Sequence, residues 1–120
     1  MKRLPDLPTL RALWWATRAL RRVHGDLRSS ALTDVHVTLP PALPAHAFRG
    51  VRYALRKSPS TCLERALLRQ AWQTAHGDPR EVVIGVTRST SEFAAHAWLD
   101  LDPGQPSPQQ FEELLRLPAP

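Results

Sequence analysis

The single cysteine of this chain stands in the stretch SPSTCLERALLRQAW, residues 58–72, directly behind a Ser-Pro-Ser-Thr run. Thr61 and Glu64 have capping-box spacing, in which a threonine hydroxyl and a glutamate carboxylate close the first turn of a helix. Cys62 then opens a helix over residues 61–75. The first turn of any helix leaves backbone N–H groups unpaired and carries a partial positive charge. Both favour thiolate over thiol, and the same N–H groups can receive an oxyanion. One helix start thus offers a nucleophile and half of an oxyanion site.

A thiolate nucleophile needs a base, most often histidine. The chain has five: His24, His36, His46, His76 and His96. His24 and His76 fall at predicted helix ends, where a basic residue favours the dipole. His36 and His46 lie in a segment whose structure the pattern leaves open. His96 alone sits mid-strand, in the small, apolar run AAHAW, where a polar side chain needs a partner. Each of the pair also has a plainer role. Cys62 can be an inert small residue and His96 a strand histidine satisfied by a neighbour.

The elements that must position these residues follow from spacing. TLRALWWATRALRRVHG, residues 9–25, predicts a helix with Thr9 as N-cap and Gly25 as its stop. Leu10, Leu13, Trp14 and Leu20 form its apolar stripe, which should pack on the body of the domain. Arg11, Trp15, Arg18 and Arg22 line a second, outward face and are candidates for docking a partner. A short strand over 34–38 leads into a Pro-rich connector, and 45–57 holds a short helix or turn. Strands over 81–87 and 92–101 flank the loop RSTS. With Thr87 opposite Glu92, Val82, Ile84 and Val86 share a face with Ala95, Ala97, Leu99 and Leu101. His96, Val83, Gly85 and Ala94 then share the other, with Trp98 and Asp100 following. The small residues beside His96 would let the Cys62 helix approach that face. The Pro- and Gln-rich tail holds a candidate helix over 109–116.

The bulk numbers bound the class. A length of 120 residues, 42% hydrophobic and 22% charged, suits one soluble globular domain. One cysteine excludes an internal disulfide and a cysteine-cluster metal site, and makes a cytoplasmic address the default. No apolar run reaches the ~18–20 residues that span a bilayer, and the N-terminus lacks a secretory signal pattern. A net charge of +5 and a pI near 10.6 imply an acidic partner of some kind.

Three strings carry a resemblance. STCLERALLRQAW, REVVIGVTRS and FAAHAWLDLD, in this order, resemble the transglutaminase-like cysteine peptidase half of the lasso-peptide B proteins, which remove the leader from ribosomal lasso-peptide precursors. LRALWWATRALRR is similar to the basic, tryptophan-containing N-terminal helix of that family. The resemblance covers roughly residues 9–111. It implies an α+β, papain/transglutaminase-like fold. N-terminal helices over about 9–57 would lead into a catalytic core over about 58–111, with the cysteine helix packed on a small antiparallel sheet. It implies Cys62 as nucleophile, His96 as general base and acid, and an orienting aspartate about a dozen positions on. From 103 to 111, PGQPSPQQF contains no carboxylate. Gln109 falls at the matching position, and an amide oxygen can hold an imidazole tautomer without charge. Asp100 and Asp102 are the alternatives, although Asp100 lies ~6–7 Å along the strand from His96.

The resemblance also implies a bacterial, cytoplasmic setting, with no cofactor and no metal. Its partners would be the precursor's leader peptide, a separate small leader-binding protein and a downstream ATP-dependent lasso cyclase. The Arg11, Trp15, Arg18 and Arg22 face would meet the leader or the leader-binding protein. A basic amphipathic helix can also rest on an anionic membrane. Two other readings stand beside the peptidase: a scaffold of the same fold with weak or no activity, given the absent aspartate, and a basic nucleic-acid-binding module. Against the latter, no groove-reading or base-stacking motif is present and the basic residues are spread along the chain.

Overall fold

The computed structural model describes residues 6–87, 94–103, 105–106 and 110–120. Three helices, α1 (Leu7–Ser29), α2 (Phe48–Lys57) and α3 (Cys62–Ala75), precede three strands, β1 (Val82–Thr87), β2 (Ala95–Leu99) and β3 (Phe111–Leu117). Short 3-10 turns at Leu32–Asp34 and Ala45–Ala47 punctuate the connector between α1 and α2.

The first helix is longer at both ends than its pattern predicts. Asp6, not Thr9, caps it, with Asp6 Oδ1 accepting from the Thr9 N–H at 3.0 Å. Pro8 is tolerated in the first turn because its missing N–H would be unpaired there anyway. His46 Nε2 lies 2.6 Å from Asp6 Oδ2, and the hydrogen bonds to Thr9 and His46 hold the Asp6 carboxyl down to about 2. Gly25 does not stop the helix. It sits in the interior and is open to solvent, with nothing within 4 Å of where a Cβ would be. The helix instead ends where the Ser30 N–H bonds back to Asp26 O.

Small residues face the core from the first half of α1, with Leu20 and Val23 following them. The buried residues are Thr9, Ala12, Ala16, Leu20 and Val23, whereas Leu10 and Trp14 are exposed. The reason is the close crossing of α2. A Cβ on Gly50 would overlap the carbonyl oxygen of Thr9 and lie 2.8 Å from the Leu13 nitrogen. Backbone on backbone leaves no room for leucine or tryptophan at that contact, so those side chains turn outward. The expected Leu10–Leu13–Trp14–Leu20 stripe is therefore corrected: Leu20 is buried, Leu13 is half-buried, and the other two face solvent.

Helix α3 links the helical layer to the sheet. Ala66, Leu67, Leu68, Ala71 and Trp72 join one core with Ala12, Ala16, Val51, Val82, Leu99 and Leu117. Trp72 tilts against Trp15 and Phe48, with ring centroids 6.2 and 5.4 Å away. Gln70 is buried and its amide nitrogen donates to Arg80 O and Leu117 O at 2.9 and 3.0 Å, fastening α3 to the entry of β1 and the end of β3. His76 caps the C-terminus, and Gly77 with φ of +79° turns the chain away.

The sheet is antiparallel throughout, in the order β2-β1-β3. Gly85 pairs with His96 and Ile84 with Ala97. This register is two residues from the predicted one, and because side chains alternate with period two, the face assignments within β1 and β2 survive the shift; Leu101, expected on the core face, lies beyond β2 and is exposed. The tail that reads as a helix over 109–116 is instead β3 from Phe111 onward. It supplies the second partner that the free edge of β1 requires, and Leu117 is buried under α3. Local helix preference in FEELLRL is overridden by that pairing. A bulge in β3 sets Leu115 opposite Ile84 and Glu113 opposite Gly85. The extra residue, Leu114, reverses the alternation, so Phe111 faces away from α3.

Two glycines make opposite predictions. In denaturant titrations, Gly50→Ala should lower the unfolding free energy by about 2–3 kcal/mol, as overpacking does. Gly25→Ala should raise it by up to ~1 kcal/mol, the helix-interior difference. Equal effects of the two would contradict the crossing described.

Candidate active site

The first turn of α3 forms as the sequence predicts. Glu64 Oε1 accepts from the Thr61 N–H at 2.8 Å, and Thr61 Oγ1 accepts from the Glu64 N–H at 3.2 Å, completing the capping box. Glu64 is buried, and its second oxygen lies 3.3 Å from His24 Nδ1 on α1. His24 thus braces α3 from α1 and is not an end cap. Cys62 is the first residue of the helix and is exposed. Its own N–H and that of Leu63 have no acceptor among the described residues. An exposed cysteine beside these two N–H donors could supply a nucleophile and oxyanion donors from one helix start.

His96 lies elsewhere. The β2 residues that pack with α3 are Ala97 and Leu99, together with Val82 and Ile84 of β1. His96 alternates with them and occupies the opposite face, beside Gly85, Trp98 and Phe111. The Phe111 ring meets the imidazole edge-on at 4.9 Å and Trp98 at 5.7 Å. A Cβ on Gly85 would lie 2.8 Å from the Trp98 ring, so glycine there lets the indole lie over the strand. The expected packing of the Cys62 helix on the His96 face is therefore corrected. The smallness of Gly85 serves Trp98, not α3. No hydrogen bond joins Cys62 to His96.

The orienting candidates are also engaged away from His96. Asp100 Oδ2 accepts from Arg116 at 2.8 Å, and Arg116 forms a two-pronged pair with Glu113. That pairing holds the Glu113 carboxyl below its usual value. Asp102 is bound by Arg69 of α3 at 2.6 Å and lies 3.6 Å from Arg80. Gln109 lies outside the described residues. Among the described residues, no group of three or more His, Cys, Asp and Glu could hold a metal ion.

The comparison with family models decides the fold family. The model of the transglutaminase-like superfamily matches residues 4–114. The chain belongs to this superfamily. Its three helices and small antiparallel sheet are a mixed α+β transglutaminase-like domain. No curated protein and no solved structure matches the chain. Membership brings a superfamily that includes cysteine peptidases to a chain whose one cysteine is exposed at a helix start; it does not by itself assemble a triad. Among the described residues no helix is long and apolar enough to cross a membrane.

Trp15, expected on the docking face, and Trp14, expected in the buried stripe, exchange roles. Trp15 is half-buried; its Nε1 donates to Thr38 O at 2.9 Å and its ring meets Trp72. Trp14 is 66% exposed and lies under the Arg18 guanidinium at 5.7 Å. Arg11, Arg18 and Arg22 are exposed. With both tryptophans and His36 they line a groove of about 940 Å³ between α1 and the extended segment that follows it. The sequence signal for the exchange was the Ala12/Ala16 pair, which marks the buried side of α1. Trp15→Ala should therefore destabilise the fold by about 2–3 kcal/mol, and Trp14→Ala by less than ~1 kcal/mol. Thermal unfolding of the two variants checks this; the reverse order would contradict the assignment.

Proposed function

We propose that the chain is a cysteine peptidase that removes the leader from a ribosomal lasso-peptide precursor in the bacterial cytoplasm. The observation that carries this is Cys62: exposed, first in a capping-boxed helix, beside two free N–H groups, in a transglutaminase-like domain. Cys62 Sγ, its proton taken by His96, adds to the scissile carbonyl. The oxyanion is received by the N–H groups of Cys62 and Leu63. The C–N bond breaks and the amine departs with the proton from His96. Water then adds to the thioester, giving its proton to His96 and displacing the sulfur as a thiol.

The reading requires His96 to leave Phe111 and come round β2, an edge strand, when substrate is bound. Gln109 would orient the imidazole, with Asp100 or Asp102 released from Arg116 or Arg69 as the alternatives. A separate leader-binding protein would dock in the groove of Arg11, Arg18 and Arg22, with Trp14 as its exposed anchor and Trp15 as its floor. The product would pass to an ATP-dependent cyclase. The second reading, a scaffold of the same fold without turnover, draws on the present engagement of His96, Asp100 and Asp102 with other partners.

Cleavage of the precursor in the presence of the leader-binding protein, followed by mass spectrometry, tests both. Cys62→Ala should reduce turnover by ~10³-fold or more, and His96→Ala by ~10²–10⁴-fold. Cleavage unaffected by Cys62→Ala would end the peptidase reading. No cleavage by the parent chain under the same conditions would favour the scaffold.

A further inference from the structure

A second cleft lies between α2 and α3. It has a volume of about 590 Å³ and is lined by Arg49, Arg52, Arg56, Arg65, Arg69 and Leu55. Five of the chain's arginines converge there, and the one carboxylate paired with any of them among the described residues is Asp102, on Arg69. Arg49, Arg52 and Arg56 make no ion pair among the described residues. Arg52 and Arg56 follow one another at i, i+4 on α2, as do Arg65 and Arg69 on α3, a spacing at which like charges repel. A bound anion relieves that repulsion.

The guanidinium groups are also held in place. Arg52 lies over the Phe48 ring at 5.8 Å and Arg56 over Tyr53 at 6.0 Å. A guanidinium within cation–π reach of a ring still has its N–H groups to offer to a carboxylate. Arg65 donates to Ser60 Oγ at 3.0 Å and to Leu55 O at 3.4 Å. Ser60 stands two residues before Cys62, so Arg65, which lines the cleft, is fastened to the chain leading into α3. Cys62, Arg65 and Arg69 fall at i, i+3 and i+7, one face of the helix.

We propose that this cleft binds an acidic, extended peptide segment of the substrate, next to the bond that Cys62 attacks. The inference rests on the peptidase reading for the word substrate, but the binding site itself does not. Arg49 to Arg56 spans seven residues of helix, ~10 Å at 1.5 Å per residue. That is about three residues of extended chain at ~3.3 Å each. Charges spread over such a length match several carboxylates along a peptide better than one compact anion. Nucleic acid would be drawn by the same charge, but no aromatic ring lines this cleft to stack a base.

Fluorescence anisotropy tests the proposal with the Cys62→Ala chain and a fluorescein-labelled ten-residue peptide carrying four glutamates. A peptide with glutamines in their place should bind at least ~10-fold more weakly. Arg52→Glu with Arg56→Glu should weaken binding of the acidic peptide by a similar factor. Arg28→Glu with Ser29→Glu and Ser30→Glu, the same charge change outside both grooves, should change it less than twofold. Should the glutamate pair fail to fold, Arg52→Gln with Arg56→Gln, checked by circular dichroism, gives the same reading. Equal binding by parent and cleft variants overturns the proposal, as does an equal loss in the Arg28, Ser29 and Ser30 variant. Equally tight binding of a single-stranded DNA of matched charge overturns it in favour of a general basic surface. Because cleavage is not measured, acidic-peptide binding without any turnover by the parent chain would count against the peptidase reading alone.

Discussion

Glu64 is a buried carboxylate with both oxygens engaged, one by the Thr61 N–H and the other by His24. A carboxyl group so placed is tolerated only because those partners are there, and their geometry governs what surrounds it. The bond to Thr61 sets the residue at which α3 begins, and so makes Cys62 its first member. The reciprocal bond uses the Glu64 N–H and leaves those of Cys62 and Leu63 for another acceptor. The contact with His24 ties that turn to α1, whose small residues admit α2 at Gly50. One side chain thus couples the packing of the helical layer to the presentation of the sulfur.

The sheet shows a second constraint, the two-residue period of side chains. It made the faces of β1 and β2 legible from the sequence although the pairing is displaced by two residues. It also separates His96 from the side on which Ala97 and Leu99 meet α3. Small residues beside His96 suggested room for a helix; what occupies that room is Trp98. The bulge at Leu114 then brings Phe111 to the same face, and no local pattern in FEELLRL signals a bulge or even a strand. The third strand exists because β1 has a second edge to satisfy, a fact of tertiary pairing that a reading by local periodicity cannot contain.

Among the helices, the capping box was legible because it depends on a few neighbouring residues. The buried side of α1 was not, because periodicity marks large apolar residues as core where the close approach of α2 demands small ones. The same approach turns Trp14 outward. Arginines followed a similar course. Those of α1 stood out as a stripe in one helix, whereas the cleft of Arg49, Arg52, Arg56, Arg65 and Arg69 is shared by two helices and takes shape only when they pack. Much of the basic charge among the described residues is therefore gathered on two grooves, and Arg65 and Arg69 of the second share a helix face with Cys62.

The central claim is that Cys62 is presented by α3 as a nucleophile toward a peptide carbonyl. The most direct measurement is intact-mass spectrometry of the chain after incubation with a leader peptide carrying an aldehyde at the scissile position, with borohydride reduction omitted and then included as a control for lysine imines. The account predicts one reversible adduct, seen under non-denaturing conditions, that is lost in Cys62→Ala and blocked by prior alkylation of Cys62. An adduct that persists in Cys62→Ala, or a parent chain that binds the peptide and forms none, would contradict it.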